Sequence, residues 1–424
     1  MKFVRTTVVA LSLIAMTASY APMAHASPQV AAPASNRVNE AYSVRLADSV
    51  IIPSKSRLHV GEVTVTQGSV SDYSGGKVGT FTLTETVVDP KYAGDNEARI
   101  ARATFVSGTN ALFGETLVIA KPRDRPQASW YMAVVGGIGD YRSATGNMTL
   151  MFVKGLGWRL AFDLTLESTP LNQRVQVAGL ASIDTASDRP GGLGATTATT
   201  GSVQGGGEFV SSAVTVARGD TANARTSDAS ITLPNGTVLL RGLLLERRDG
   251  KSVARSYAIL GGTGEYLGVR GDARIVPESL TRAKIALTYT RLRDGKPETP
   301  TLTSTTKGPV DGQVIGATVS AEVGTLNGKD DRRRTLKGKY DLIQMTFLPV
   351  GDVSVLTIAG RYELSGGSLI VGGVGVVGQE TQMVILGGTS EYAGSRGTAT
   401  VTEIRRGVVR LNLTLWRGGV GPVG

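Results

Sequence analysis

With 424 residues, 41% of them hydrophobic, the chain can bury several cores, which excludes disorder along its whole length. It has no cysteine and two histidines, His25 and His59, which excludes disulfides, thiol catalysis, cysteine-ligated metals and multi-histidine metal sites. The net charge of +10 is dispersed and aromatics are 5%, so the continuous basic face with interleaved aromatics that nucleic acid requires is missing.

The chain opens with a secretory pattern: Lys2 and Arg5, an apolar stretch over 8–18, and Ala24-His25-Ala26 as a small-x-small cleavage site before Ser27. That stretch is shorter than the roughly 20 residues a spanning helix needs. No later segment is long and apolar enough either. Residues 1–26 are therefore expected to be a signal peptide of bacterial type on a secreted or periplasmic protein without a membrane span. Removing it takes Lys2, Arg5 and no acid, so the charge falls by two, from +10 to +8. Residues 27–40, rich in Ala, Pro, Ser and Asn, read as an unstructured lead-in.

From there the chain alternates short Val/Leu/Thr-rich runs with Gly, Asn-Gly and Asp-Gly turns, which predicts an antiparallel all-β protein. A first module over 41–184 carries strand-like runs at 58–66, 79–88, 100–106, 116–120, 130–135, 147–154, 158–167 and 174–183. Residues 185–201 are Gly/Thr/Ala-rich and read as a linker. In the second module, 202–305, the run 231–233 turns at Pro234-Asn235-Gly236 into 238–245, and the run 252–260 follows Asp249-Gly250. After a linker at 306–309, the third module over 310–424 has seven or more runs and no helical pattern. Arg332-Arg333-Arg334, next to Asn327-Gly328, reads as a solvated hairpin tip. In the last run Val409, Leu411, Leu413 and Leu415 alternate with Arg410, Asn412, Thr414 and Trp416. A closed barrel suits this pattern, because closure removes exposed strand edges.

One element recurs three times: Gly136-Gly137-Ile138-Gly139-Asp140-Tyr141, Gly261-Gly262-Thr263-Gly264-Glu265-Tyr266 and Gly387-Gly388-Thr389-Ser390-Glu391-Tyr392. The copies lie 125 and 126 residues apart, a domain-sized period. The register persists beyond the motif: 23 residues after the first Gly stand Arg159, Lys284 and Arg410, followed by Leu160-Ala161-Phe162, Ile285-Ala286-Leu287 and Leu411-Asn412-Leu413. Tandem triplication accounts for this. The glycines permit a sharp turn and the tyrosine is suited to plug a barrel end. A phosphate cradle is disfavoured, because neither a helix nor a Lys-Ser/Thr pair follows the glycines.

The run Ile259-Leu260-Gly261-Gly262-Thr263-Gly264-Glu265-Tyr266 with Arg270-Gly271 resembles the signature of dirigent proteins and the related allene oxide cyclases. The third copy, with Arg396-Gly397, matches nearly as well; the first carries Thr145 in place of the arginine. The resemblance implies three tandem eight-stranded antiparallel β-barrels with apolar lumens, packed as an intramolecular counterpart of the family's trimers. It further implies binding of a small apolar organic molecule and steering of its cyclisation or coupling without a cofactor. Arg270 and Arg396 then stand at the family's arginine position, and Asp140, Glu265 and Glu391 are the repeated acids, five candidate catalytic residues. The alternative is a non-catalytic ligand carrier or a cell-surface or matrix module. Carbohydrate binding is disfavoured, since Trp130, Trp158 and Trp416 fall mostly in strand-like runs.

Overall fold

Runs of β-branched and apolar residues between glycine turns form strands throughout the computed structural model. It describes residues 37–417 except 48, 53–58, 94–95, 122–128, 167–170, 186–192, 219–221, 248–253, 291–296, 315–316, 332, 351, 379–381 and 406–407. The expected signal peptide lies outside the described residues.

Barrel 1 comprises β1 (Arg37–Leu46), β2 (Val50–Ile52), β3 (Val63–Ser71), β4 (Lys77–Ala93), β5 (Asn96–Ser107), β6 (Asn110–Ala120), β7 (Trp130–Ile138), β8 (Thr145–Val153) and β9 (Gly157–Thr165). Eight of these close a ring, because β1 pairs with both β9 and β3, while short β2 flanks β3. Barrel 2 is β10 (Leu171–Thr185), β11 (Thr196–Val203), β12 (Glu208–Arg218), β13 (Ala222–Leu233), β14 (Gly236–Arg247), β15 (Arg255–Gly262), β16 (Arg270–Ser279) and β17 (Arg282–Thr290). Barrel 3 is β18 (Thr301–Val314), β19 (Ala317–Lys329), β20 (Thr335–Phe347), β21 (Val355–Leu364), β22 (Gly367–Val376), β23 (Met383–Gly388), β24 (Arg396–Arg405) and β25 (Val408–Trp416). Both are closed and antiparallel.

The boundaries differ from the sequence reading in four places. The run ending near residue 184 opens barrel 2, since β10 pairs along its length with β17. Residues 196–201 of the expected first linker belong to β11, and 306–309 lie inside β18. Arg37 to Glu40 of the expected lead-in belong to β1. The two linker segments, rich in Thr and Gly, lack a local strand signature, whereas 171–184 and 37–40 are placed by pairing with β17 and β9, distant in sequence.

Each lumen has its own apolar core, led by Phe81, Phe105 and Phe162 in barrel 1, Ile231, Leu240 and Ile259 in barrel 2, and Leu326, Tyr362 and Leu411 in barrel 3. A fourth cluster belongs to all three barrels at once. Its centre is the motif strands β7, β15 and β23, each of which touches the other two. The ladder slips by one residue at the same point in every copy, leaving Val135, Leu260 and Leu386 as bulged residues just before the first motif glycine. All three enter the shared cluster.

The seam between barrels 1 and 2 contains a buried ion-pair ring. Arg102 and Glu115 are cross-strand partners in barrel 1, and Asp228 and Arg241 are cross-strand partners in barrel 2. Across the seam Arg241 pairs with Glu115, and Arg102 Nη1 lies 3.2 Å from Asp228 Oδ2. Within the barrels, Arg241 Nε–Asp228 Oδ1 is 2.6 Å and Arg102 Nε–Glu115 Oε2 is 3.3 Å. Counted from each hairpin-closing pair, the corresponding residues of barrel 3 are the cross-strand pair Ala359 and Gly372. Triplication thus produced equivalent positions of opposite charge order in two barrels and small residues in the third.

Candidate functional site

In each motif the two glycines have different tasks. The second packs against its own barrel: a Cβ at Gly137, Gly262 or Gly388 would lie 2.2–2.6 Å from the carbonyl oxygen of Tyr141, Tyr266 or Tyr392. The first packs against the next barrel. A Cβ at Gly136 would lie 3.0 Å from Leu260 Cδ2, at Gly261 2.3 Å from Val384 Cγ1, and at Gly387 3.3 Å from Ala133 Cβ. The sequence of contacts runs from barrel 1 to 2, from 2 to 3 and from 3 to 1. It is a closed cycle.

The tyrosines sit on single 3-10 turns and enter the three lumen cores. Tyr141 donates to the Glu40 carboxylate at 3.0 Å, Tyr266 bonds Gln173, and the Arg417 guanidinium lies 4.9 Å above the Tyr392 ring. Each turn begins in the left-handed region, at φ 69° for Gly139, 58° for Gly264 and 55° for Ser390. For Ser390 this conformation is unfavourable by roughly 1–2 kcal/mol. Ser390→Gly is therefore expected to raise stability by up to about 1 kcal/mol, after the greater freedom of glycine in the unfolded chain; an unchanged or lowered unfolding midpoint would refute this.

The five sequence candidates do not meet in a cavity. The wholly buried Arg270 donates from Nη2 to the Leu386 carbonyl at 2.6 Å, across the seam into barrel 3. Arg396, also buried, donates to the Gly268 carbonyl of barrel 2 at 3.4 Å. Asp140 is an exposed turn residue accepting from Asn110 at 2.7 Å, Glu265 is exposed, and Glu391 is exposed and lies 3.4 Å from Arg417.

A cavity of ≈ 120 Å³ lies instead in the lumen of barrel 3. Residues 304, 322, 340, 358 and 362 point inward by strand alternation, opposite in phase to outward-facing Val319, Ala321, Ile343 and Ala359, which pack in the seam with barrel 1. Leucines and Tyr392 fill the lumen toward the motif end. The cavity occupies the other half, reaching Val401, which is 46% exposed. Its walls are mostly Leu, Ile, Val and Met, with a polar layer of Ser304, Glu322, Tyr340, Gln344 and Tyr362. The Tyr340 hydroxyl donates to Glu322 Oε1 at 2.5 Å, and Tyr362 donates to Met383 Sδ at 3.8 Å. Burial pushes the Tyr340 phenol up to about 12, with the Glu322 carboxylate adding to the rise and the Ser304 and Thr306 hydroxyls offsetting part of it. Burial likewise raises Tyr362. Both phenols are neutral donors at physiological pH. Glu322 was legible as an acid between Ala321 and Val323 in a strand, but neither its phase nor its partner was.

The other two lumens differ at the corresponding level. Arg99, Arg225 and Leu356 each stand eight residues before their hairpin-closing partner, Ser107, Leu233 or Leu364. In barrel 1 the buried Arg99 pairs with Glu97 and lies 3.7 Å from Glu85. In barrel 2 Arg225 pairs with Glu246 at 2.7 Å, and Ser227 lies 3.4 Å from Tyr257. Where barrel 3 has leucine, no cation has to be compensated, and the lumen keeps space beside one carboxylate.

No protein-family model matches the chain. No curated protein matches it in sequence. Among solved structures it is similar to a pyocyanin demethylase, at 21% identity over 30% of this chain and 100% of that one, with a TM-score of 0.26.

Proposed function

We propose that the chain binds a small, largely apolar organic molecule in the lumen of barrel 3. The observation that carries this is the ≈ 120 Å³ cavity with apolar walls and a single carboxylate–phenol pair. A closed apolar cavity of about 150 Å³ holds benzene. One ring is therefore the portion that fits inside, and a longer molecule extends past Val401. Lumens 1 and 2 contain compensated ion clusters, which favours a scaffold role for them.

The resemblance to dirigent proteins and allene oxide cyclases supports a finer reading. In it the protein is secreted and holds a reactive intermediate in one conformation while it cyclises or couples, by orientation rather than with a cofactor. A carrier without catalysis uses the same cavity. To test binding, toluene is titrated into protein labelled with ¹³C at the methionine methyls. Met383 lines the cavity, and its signal, assigned through Met383→Leu, is expected to shift saturably. No shift up to the solubility of toluene would remove the proposal. If binding is found, stereochemical bias in an otherwise racemic coupling or cyclisation separates steering from carriage.

A further inference from the structure

We infer that the molecule bound in barrel 3 carries a hydroxyl group, which seats between the Glu322 carboxylate and the Ser304 hydroxyl, and that carboxylic acids are refused. The inference rests on the proposed lumen binding and deepens it by naming the ligand's polar group.

The polar inventory of the cavity is lopsided. Tyr362 could donate to a ligand, but its hydrogen is taken by Met383 Sδ. Tyr340 could donate as well, but its hydrogen is taken by Glu322 Oε1. A carboxylate has about four acceptor sites, so Glu322 retains capacity after accepting from Tyr340. Ser304 lines the same cavity at 2% exposure; its Oγ lies beside the Tyr340 hydroxyl in a long, weak contact and meets hydrogen-bond geometry with no group among the described residues. A buried hydroxyl left in that state is unusual and costs free energy until a partner arrives. Beside the half-buried Gln344 amide, which has an acceptor and donors of its own, the cavity therefore presents a spare acceptor on Glu322 and a hydroxyl able to donate on Ser304. A ligand hydroxyl satisfies both, donating to Glu322 and accepting from Ser304.

Other polar groups fit worse. A ligand carboxylate beside Glu322 places two like charges in a partly buried space, where they repel. An ammonium brings three donors and must be dehydrated into walls that are otherwise mostly aliphatic. A molecule without a polar group enters the cavity but leaves Ser304 as it was.

Four ring-sized probes decide the matter when titrated at pH 7.5 and followed at the Met383 methyl signal: toluene, p-cresol, p-toluate and benzylamine. We expect p-cresol to bind roughly ten- to a hundred-fold more tightly than toluene, as a hydrogen bond to a charged group allows. We expect p-toluate to bind more weakly than toluene. Glu322→Gln retains a carbonyl acceptor for Tyr340 while removing the charge; it is expected to bring p-cresol binding within a few-fold of toluene binding measured on the same variant. Ser304→Ala is expected to reduce the preference for p-cresol over toluene measured on the same variant. Equal binding of toluene and p-cresol would overturn the inference while leaving lumen binding intact. So would p-toluate or benzylamine binding as tightly as p-cresol. Failure of all four probes would overturn both.

Discussion

Replacing Arg241 with methionine is expected to destabilise the folded chain by roughly 3–5 kcal/mol, the cost of leaving the Glu115 and Asp228 carboxylates to share Arg102. Glu115 is only 1% exposed and faces Arg241 across the seam between barrels 1 and 2. Methionine fills much of the arginine's volume, so the loss is one of charge compensation rather than of packing. Removing both charges, as Glu115→Leu with Arg241→Leu, is expected to recover most of that loss, because no ion is then buried unpaired. Denaturant unfolding of the two variants checks this, and equal destabilisation by both would show that the ring contributes through packing alone. Burial pushes Asp228 up, but Arg241 and Arg102 outweigh it and hold the carboxyl below the usual range. Stability from that group is complete above its unfolded value near 3.9 and is lost as pH falls through the lower folded value. The contribution of Asp228 should therefore be insensitive to pH between 5 and 8.

Glu85 should behave in the opposite way. Burial in the lumen of barrel 1 raises its carboxyl from 4.5 to about 7, with Arg99 pulling against the rise. Between those values the folded chain retains a proton that the unfolded chain has lost. The stability associated with protonated Glu85 is thus complete below about pH 4.5 and is lost as pH rises toward 7. At about 1.4 kcal/mol per pH unit, the whole effect is on the order of 3 kcal/mol. Glu85→Gln mimics the neutral form. The variant is expected to be more stable than the parent at pH 8, similar to it at pH 5, and to show a flatter stability profile between them. Arg99 keeps Glu97 as its counter-ion in both proteins. Unfolding midpoints at pH 5, 6, 7 and 8 provide the measurement. A variant that follows the parent's profile at every pH would show that Glu85 is ionised in the folded chain.

These two clusters also mark the limit of what could be read before folding. The Gly-Gly-x-Gly/Ser-x-Tyr period revealed three units, and alternation in the run from Val408 to Trp416 identified strands and a lumen face. Both signals are local, because a turn needs particular residues at fixed offsets and a strand exposes alternate side chains to opposite faces. The division of labour between the paired glycines was not legible. Both read as turn residues, yet Gly136, Gly261 and Gly387 make room for the neighbouring barrel. Arg270 and Arg396 read as candidate catalytic groups because of their motif position, while their guanidiniums bond carbonyls in the seam between barrels 2 and 3. Unit boundaries slipped for a related reason, since β10 is assigned by its pairing with β17 and not by its own composition.

The sequence by itself determined the all-β class, the triplication, and the scarcity of residues for thiol or multi-histidine metal chemistry. These follow from composition and from periodicities shorter than a hairpin. What each lumen holds was decided by the tertiary structure. Arg99, Arg225 and Leu356 occupy one level of three barrels, and only strand registers set across eight-membered rings bring each to its neighbours. Glu322 gains its phenol partner in the same way, from a residue 18 positions away. Closing a barrel couples every strand's register to all the others, so what a lumen contains is a property of the closed ring and not of any stretch of chain.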